Sequence, residues 1–125
     1  MSEQEDHLVV ALLAVGGYSL QRAWDLLPAL QREHLADAKA AEELDEAEVV
    51  RRLARAGYDR GASVTTSMAK RLMAVHAAVR DGVLAQASRL MRDGRLQDAE
   101  RVLCQVSGIG PTVFKHFAVL EGALK

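Results

Sequence analysis

From Leu103 onward the chain carries the spacing apolar-x-x-apolar-x-Gly-apolar-Gly, written by Leu103, Val106, Gly108, Ile109 and Gly110, then Pro111 and a second apolar run through Phe117. No other stretch restricts the fold as tightly. Glycine lets the backbone take positive φ and approach a neighbour closely, and proline has its φ preset for a first helical position. The pattern predicts two helices joined by a hairpin over residues 103–120, with Ile109 plugging the gap between them. The amides of Gly110, Thr112 and Val113 would project from the N-terminus of the second helix, where unpaired main-chain donors suit a phosphate oxygen. A site of that kind reads backbone, so its binding is expected to be largely independent of nucleotide sequence.

Upstream, apolar residues recur at three- and four-residue spacing between glycine stops. Residues 6–15 put Leu8, Val9, Leu12 and Leu13 on one helical stripe, and Gly16-Gly17 ends it. Ser19 suits the N-cap of a helix carrying Leu20, Ala23, Trp24 and Leu27, with Pro28 late in it or terminating it. Residues 35–48 read as an acidic connection into a helix from about Asp45 that buries Val49, Val50 and Leu53. After the break at residues 57–61, Ser63, Thr65, Thr66 and Ser67 offer N-caps for a helix through Met68, Leu72, Val75 and Val79, with Gly82 near its end. Beside Arg60, Lys70 and Arg71 the same hydroxyls could also touch phosphate. Further helices are expected over residues 84–91, over 96–106 beyond the Asp93-Gly94 turn, and over 111–124. No alternating strand pattern competes. The expectation is one all-α domain over residues 1–125, a compact bundle of about six to seven helices ending in the hairpin, with no internal repeat or linker.

Composition matters chiefly through its exclusions. Half of the residues are apolar, enough for a modest core, yet no stretch approaches the roughly 18 uncharged residues of a membrane span, and the first residues are acidic where a secretory signal is basic. A cytoplasmic protein with no membrane partner is expected. Cys104 is the single cysteine, so no disulfide within the chain and no multi-cysteine zinc or iron–sulfur site is expected; its simplest role is that of a small apolar residue on the first hairpin helix. His7, His34, His76 and His116 are scattered without metal-ligand spacing, acid pairs such as Glu42-Glu43 read as solvated helix ends, and the few aromatics, Tyr18, Trp24, Tyr58, Phe114 and Phe117, suit core anchors rather than a base-stacking platform. No metal and no cofactor is expected. The net charge of −1 conceals a segregation: residues 1–48 hold 11 Asp/Glu against 3 Lys/Arg, and residues 49–125 hold 6 against 13. The basic half suggests a surface offered to a polyanion. Abundant Ala and Arg with little Lys is the composition of a GC-rich bacterial or phage genome.

The hairpin, with the helices Leu8-Val9-Val10-Ala11-Leu12-Leu13, Glu48 to Leu53 through Gly57-Tyr58, and Met68 to Leu72 in the same order before it, resembles the helix-hairpin-helix DNA glycosylase superfamily, the endonuclease III-like enzymes of base-excision DNA repair. That resemblance covers most of residues 8–124 and implies a DNA-binding helical lobe. The departures bear on chemistry. Bifunctional members place a Schiff-base lysine at the second residue after the last hairpin glycine; here it is Thr112, which cannot form an imine. Lys115, three residues on, lies nearly a full helical turn away. The family's catalytic aspartate and second lobe lie beyond the hairpin, further than Lys125, and the small residue usual four positions after the glycine is Phe114. The expectation is therefore a non-catalytic protein that clamps the DNA phosphate backbone through Gly108, Ile109, Gly110, Thr112, Val113 and Lys115, with Arg60, Lys70 and Arg71 as auxiliary contacts. The alternative is a protein-interaction scaffold on a glycosylase-like lobe, self-associating or holding a basic partner on its acidic half. A repair glycosylase or lyase is the third reading.

Overall fold

The run His7-Leu-Val-Val-Ala-Leu-Leu13 has no polar face, so a helix built from it must be covered on every side. In the computed structural model, which describes residues 3–123, this is what happens: α1 (Glu3–Leu13) is buried from His7 to Leu13 and packs against α2 (Leu20–Asp25), α5 (Ala62–Arg80) and α8 (Pro111–Leu120). The remaining helices are α3 (Leu27–Arg32), α4 (Glu46–Ala56), α6 (Val83–Arg92) and α7 (Leu96–Leu103), with a 3₁₀ turn at Ala40–Glu43. The fold is all-α, with no strand among the described residues. The most extensively packed helix pairs are α6 with α7 and α4 with α5. No described helix is long and apolar enough to cross a membrane.

Eight α-helices stand among the described residues where the periodicity predicts six to seven, and Pro28 accounts for the main difference. It neither sits late in α2 nor simply ends it: it occupies the first turn of a new helix, α3, where its missing N–H costs nothing. Ser19 does cap α2, accepting from the Arg22 amide at 3.1 Å, and Asp45 caps α4, accepting from the Glu48 amide at 2.8 Å. The hydroxyls expected to cap α5 do not. Gly61 stands at that position with no side-chain cap, while Thr65, buried, turns back to accept from the Arg60 amide at 3.1 Å.

Several helices close in the same way, with a left-handed residue followed by an amide that reaches five residues back. Tyr58 N bonds to the Leu53 carbonyl past Gly57, Arg95 N to Leu90 past Gly94, and Ala123 N to Ala118 past Gly122, each at 2.8–2.9 Å. That last closure ends α8 at Leu120, short of the predicted residue 124, which lies outside the described residues. α7 likewise stops at Leu103 and leaves residues 104–110 to the connection.

Candidate nucleic-acid interface

The α7–α8 connection is shaped by two consecutive reversals. Val106 N bonds to the Leu103 carbonyl and Ile109 N to the Val106 carbonyl, both at 3.0 Å, with Gly108 between them at φ 97°. Ile109 is 4% exposed and seals the apolar side of the turn. Gly108 is required twice over: its φ disfavours any side chain, and a Cβ there would stand 3.0 Å from Arg71 Cβ on α5. Arg71 in turn donates from Nη2 to the Gly108 carbonyl at 2.6 Å. Gly110 differs from the expectation of left-handed freedom. It is extended, with φ −107° and ψ −175°, and a Cβ there meets nothing within 4 Å.

Gly110 is the N-cap of α8, and its carbonyl accepts the first intrahelical bond, from Phe114 N at 3.0 Å. The amides of Thr112 and Val113 precede that bond and have no carbonyl within the helix. No side chain caps this end, and its first turn holds no acid. Thr112 and Lys115 are exposed; Ile109 and Val113 are buried, so only their main chain is offered outward. Phe114, the departure from a small residue, is 3% exposed and belongs to the core with Phe117.

Arg60 is held differently. Its guanidinium donates from Nη1 to the Val15 carbonyl at 3.0 Å and from Nη2 to Gly16 at 2.6 Å, and it lies over the rings of Tyr18 and Tyr58, which meet edge to face. It therefore braces the end of α1 against the residue 57–61 loop. Arg60 and Arg71 nevertheless line one cavity of about 270 Å³, together with Ser63 and Ser67 of α5. Lys70 is exposed on α5 and, among the described residues, makes no hydrogen bond to the α7–α8 connection. Gly108 and Arg71 thus meet directly, Arg60 lines one cavity with Arg71, and Lys70 and Lys115 stand apart as solvated charges.

Much of the basic half is occupied elsewhere. Arg51 and Arg52 close on Glu48, Arg55 on Glu33, and Arg95 and Arg101 share Asp98. The bonds from Arg55 hold the Glu33 carboxyl below the usual carboxylate range. Among the described residues, none of Arg60, Lys70, Arg71 and Lys115 lies within ion-pair distance of a carboxylate.

No family model matches this chain. Searches of curated proteins and of solved structures also find no match.

The four histidines have separate settings. His7 Nδ1 meets Glu121 Oε2 at 2.5 Å and its ring lies beside Trp24, His76 Nε2 meets the buried Leu35 carbonyl at 2.7 Å, His34 is exposed beyond α3, and His116 is half-buried on α8. Cys104 is half-buried, and burial pushes its thiol pKa up, with a smaller contribution from Glu100. The large apolar side chains exposed among the described residues are Trp24, Val64 and Val119, each on a different helix. Sequence reading did not anticipate the cavity, because its walls come from residues far apart in the chain; the Ser63 and Ser67 hydroxyls beside Arg60 and Arg71 were its one visible trace.

Proposed function

We propose that this chain is a non-catalytic DNA-binding module that holds the phosphate backbone at the N-terminus of α8, with little regard to base sequence. One observation carries the reading: the uncapped, acid-free start of α8 is joined through Gly108 to Arg71, whose charge no described carboxylate offsets. Main-chain amides at a helix start favour an anion, and cations beside them add to that preference. Thr112 and Lys115, both exposed, would contribute a hydroxyl and a charge at the same end. The resemblance to helix-hairpin-helix glycosylases supports the same assignment, and Thr112 at the imine-forming position supports the non-catalytic part of it.

The test uses Gly110→Asp. The position is sterically open, and aspartate at an N-cap accepts the very amides a phosphate would need, so stability is expected to hold or rise by a few tenths of a kcal/mol. By fluorescence anisotropy, the wild type should bind unrelated duplexes about equally. Log affinity should fall against log salt with a slope near −0.9 per phosphate contacted. The variant should lose that binding while unfolding as late as the wild type. No binding by the wild type at low salt would overturn the assignment and leave protein docking as the better reading.

A further inference from the structure

We infer that the cavity between α5, the segment that follows α1 and the residue 57–61 loop is a subsite for a phosphate monoester, the dianionic group at the phosphorylated end of a nucleic-acid strand. This rests on the reading of α8 as a DNA-backbone contact and adds to it a preferred substrate class, duplexes with phosphorylated strand ends.

The argument begins with the cavity wall. Arg60 and Arg71 both line a space of about 270 Å³, and none of the residues around it is acidic. Each guanidinium is fixed by neutral partners, Arg60 by the Val15 and Gly16 carbonyls and Arg71 by the Gly108 carbonyl. A carbonyl orients an arginine without cancelling its charge, and a guanidinium with five N–H donors keeps others for a ligand. Two pre-oriented arginines therefore line one small space. Their mutual repulsion is relieved most by a ligand carrying two negative charges.

The Ser63 and Ser67 hydroxyls supply the neutral donors. They stand one turn apart on the exposed side of α5, line the same cavity, and have no hydrogen-bond partner among the described residues. A phosphate monoester is close to dianionic at neutral pH and presents three terminal oxygens on a compact group. An internal phosphodiester carries a single charge and is flanked by chain on both sides. Two cations, two hydroxyls and a pocket of this size match the monoester better. The Arg71–Gly108 bond sets the cavity beside the turn that leads into α8, so a strand end in the cavity would have its neighbouring backbone within reach of the second site.

The experiment compares labelled duplexes bearing 5′-phosphate, 3′-phosphate or hydroxyl ends, and a closed circle with no ends, on the wild type and on Ser67→Glu. That substitution places a carboxylate one turn from Arg71 at an exposed helical position, where folding is checked by circular dichroism. Phosphorylated ends are expected to bind about tenfold tighter than hydroxyl ends. The advantage should fade below the second phosphate pKa of about 6, and Ser67→Glu should lose it while still binding the circle. Equal affinity for all ends, with the circle still bound, would overturn the subsite and leave the backbone reading standing. Failure to bind the circle, with inorganic phosphate still shifting the Arg60 and Arg71 NεH signals in the wild type but not in Ser67→Glu, would instead overturn the backbone reading and assign the cavity to free monoesters. A wild type that binds neither phosphorylated ends nor phosphate overturns both.

Discussion

Gly108 and Gly110 stand two residues apart and have opposite requirements. Gly108 has φ 97° and packs its α-carbon against Arg71, whereas Gly110 is extended in open space. Gly108→Ala is expected to lower stability by about 1–3 kcal/mol, through left-handed strain and displacement of Arg71, and Gly110→Ala to change it by less than about 0.5 kcal/mol. Chemical denaturation of the two variants side by side checks this, and equal losses would contradict the geometry. His34 presents the converse case. It is the non-glycine residue at positive φ among those described, at 61°, and it sits where other helices of this fold place glycine, before Leu35 N bonds back to the Leu30 carbonyl at 2.9 Å. Its side chain is exposed, so His34→Gly should relieve strain at little cost and raise stability by about 0.5 kcal/mol. A lower midpoint in thermal unfolding would mean that the imidazole contributes more than its exposure suggests.

At the scale of elements, local signals are sufficient where a cap and a stop agree. Asp45 before α4 and Gly57 after it bracket the helix seen, and Asp45→Ala is expected to cost about 1 kcal/mol by leaving the Glu48 amide unpaired, measurable by urea denaturation. α5 shows the opposite case. Its start offers four hydroxyls, and the structure uses only Thr65, from inside the helix and backwards to Arg60. The capping preference of Ser and Thr is real but weak, and the left-handed freedom of Gly61, at φ 89°, decided the boundary instead. The break between α2 and α3 is equally local in cause. Apolar spacing runs on from Leu20 through Leu30, but a proline cannot donate to the carbonyl four residues behind it, so the ladder restarts from the Leu26 carbonyl. α1 buries all of its faces because eight residues in succession, Leu8 to Val15, are apolar, a property that a stripe-based reading of Leu8, Val9, Leu12 and Leu13 understates.

For the whole molecule, His76 couples folding to pH. It is 3% exposed, bonded through Nε2 to the Leu35 carbonyl, and burial pushes its pKa below the ordinary imidazole value of about 6.5, outweighing the bond to Leu35 and the nearby carboxylates of Glu5 and Asp37. The unfolded chain then takes up this proton more readily than the fold. Its contribution is present in full above about pH 6.5 and is lost as the pH falls through the lower folded-state value. Stability measured from neutral pH downward should decline in that window, and His76→Gln should flatten the decline; an unchanged slope would assign it to other groups. Charge behaves at this scale unlike its distribution along the chain. The acidic and basic halves meet, and Arg55 reaches across to Glu33, so part of the segregation is cancelled on folding while Arg60 and Arg71 keep their charge. The sequence by itself determined the helical class, the breaks at glycine and the two helices around residues 104–110, because period, chirality and backbone freedom act within a few residues. Only the tertiary structure decided which arginines brace carbonyls 37 and 45 residues away, which of them share one cavity, and which charges stay unpaired. A guanidinium that meets a main-chain carbonyl meets an atom every residue has, so the pairing leaves no pattern to read.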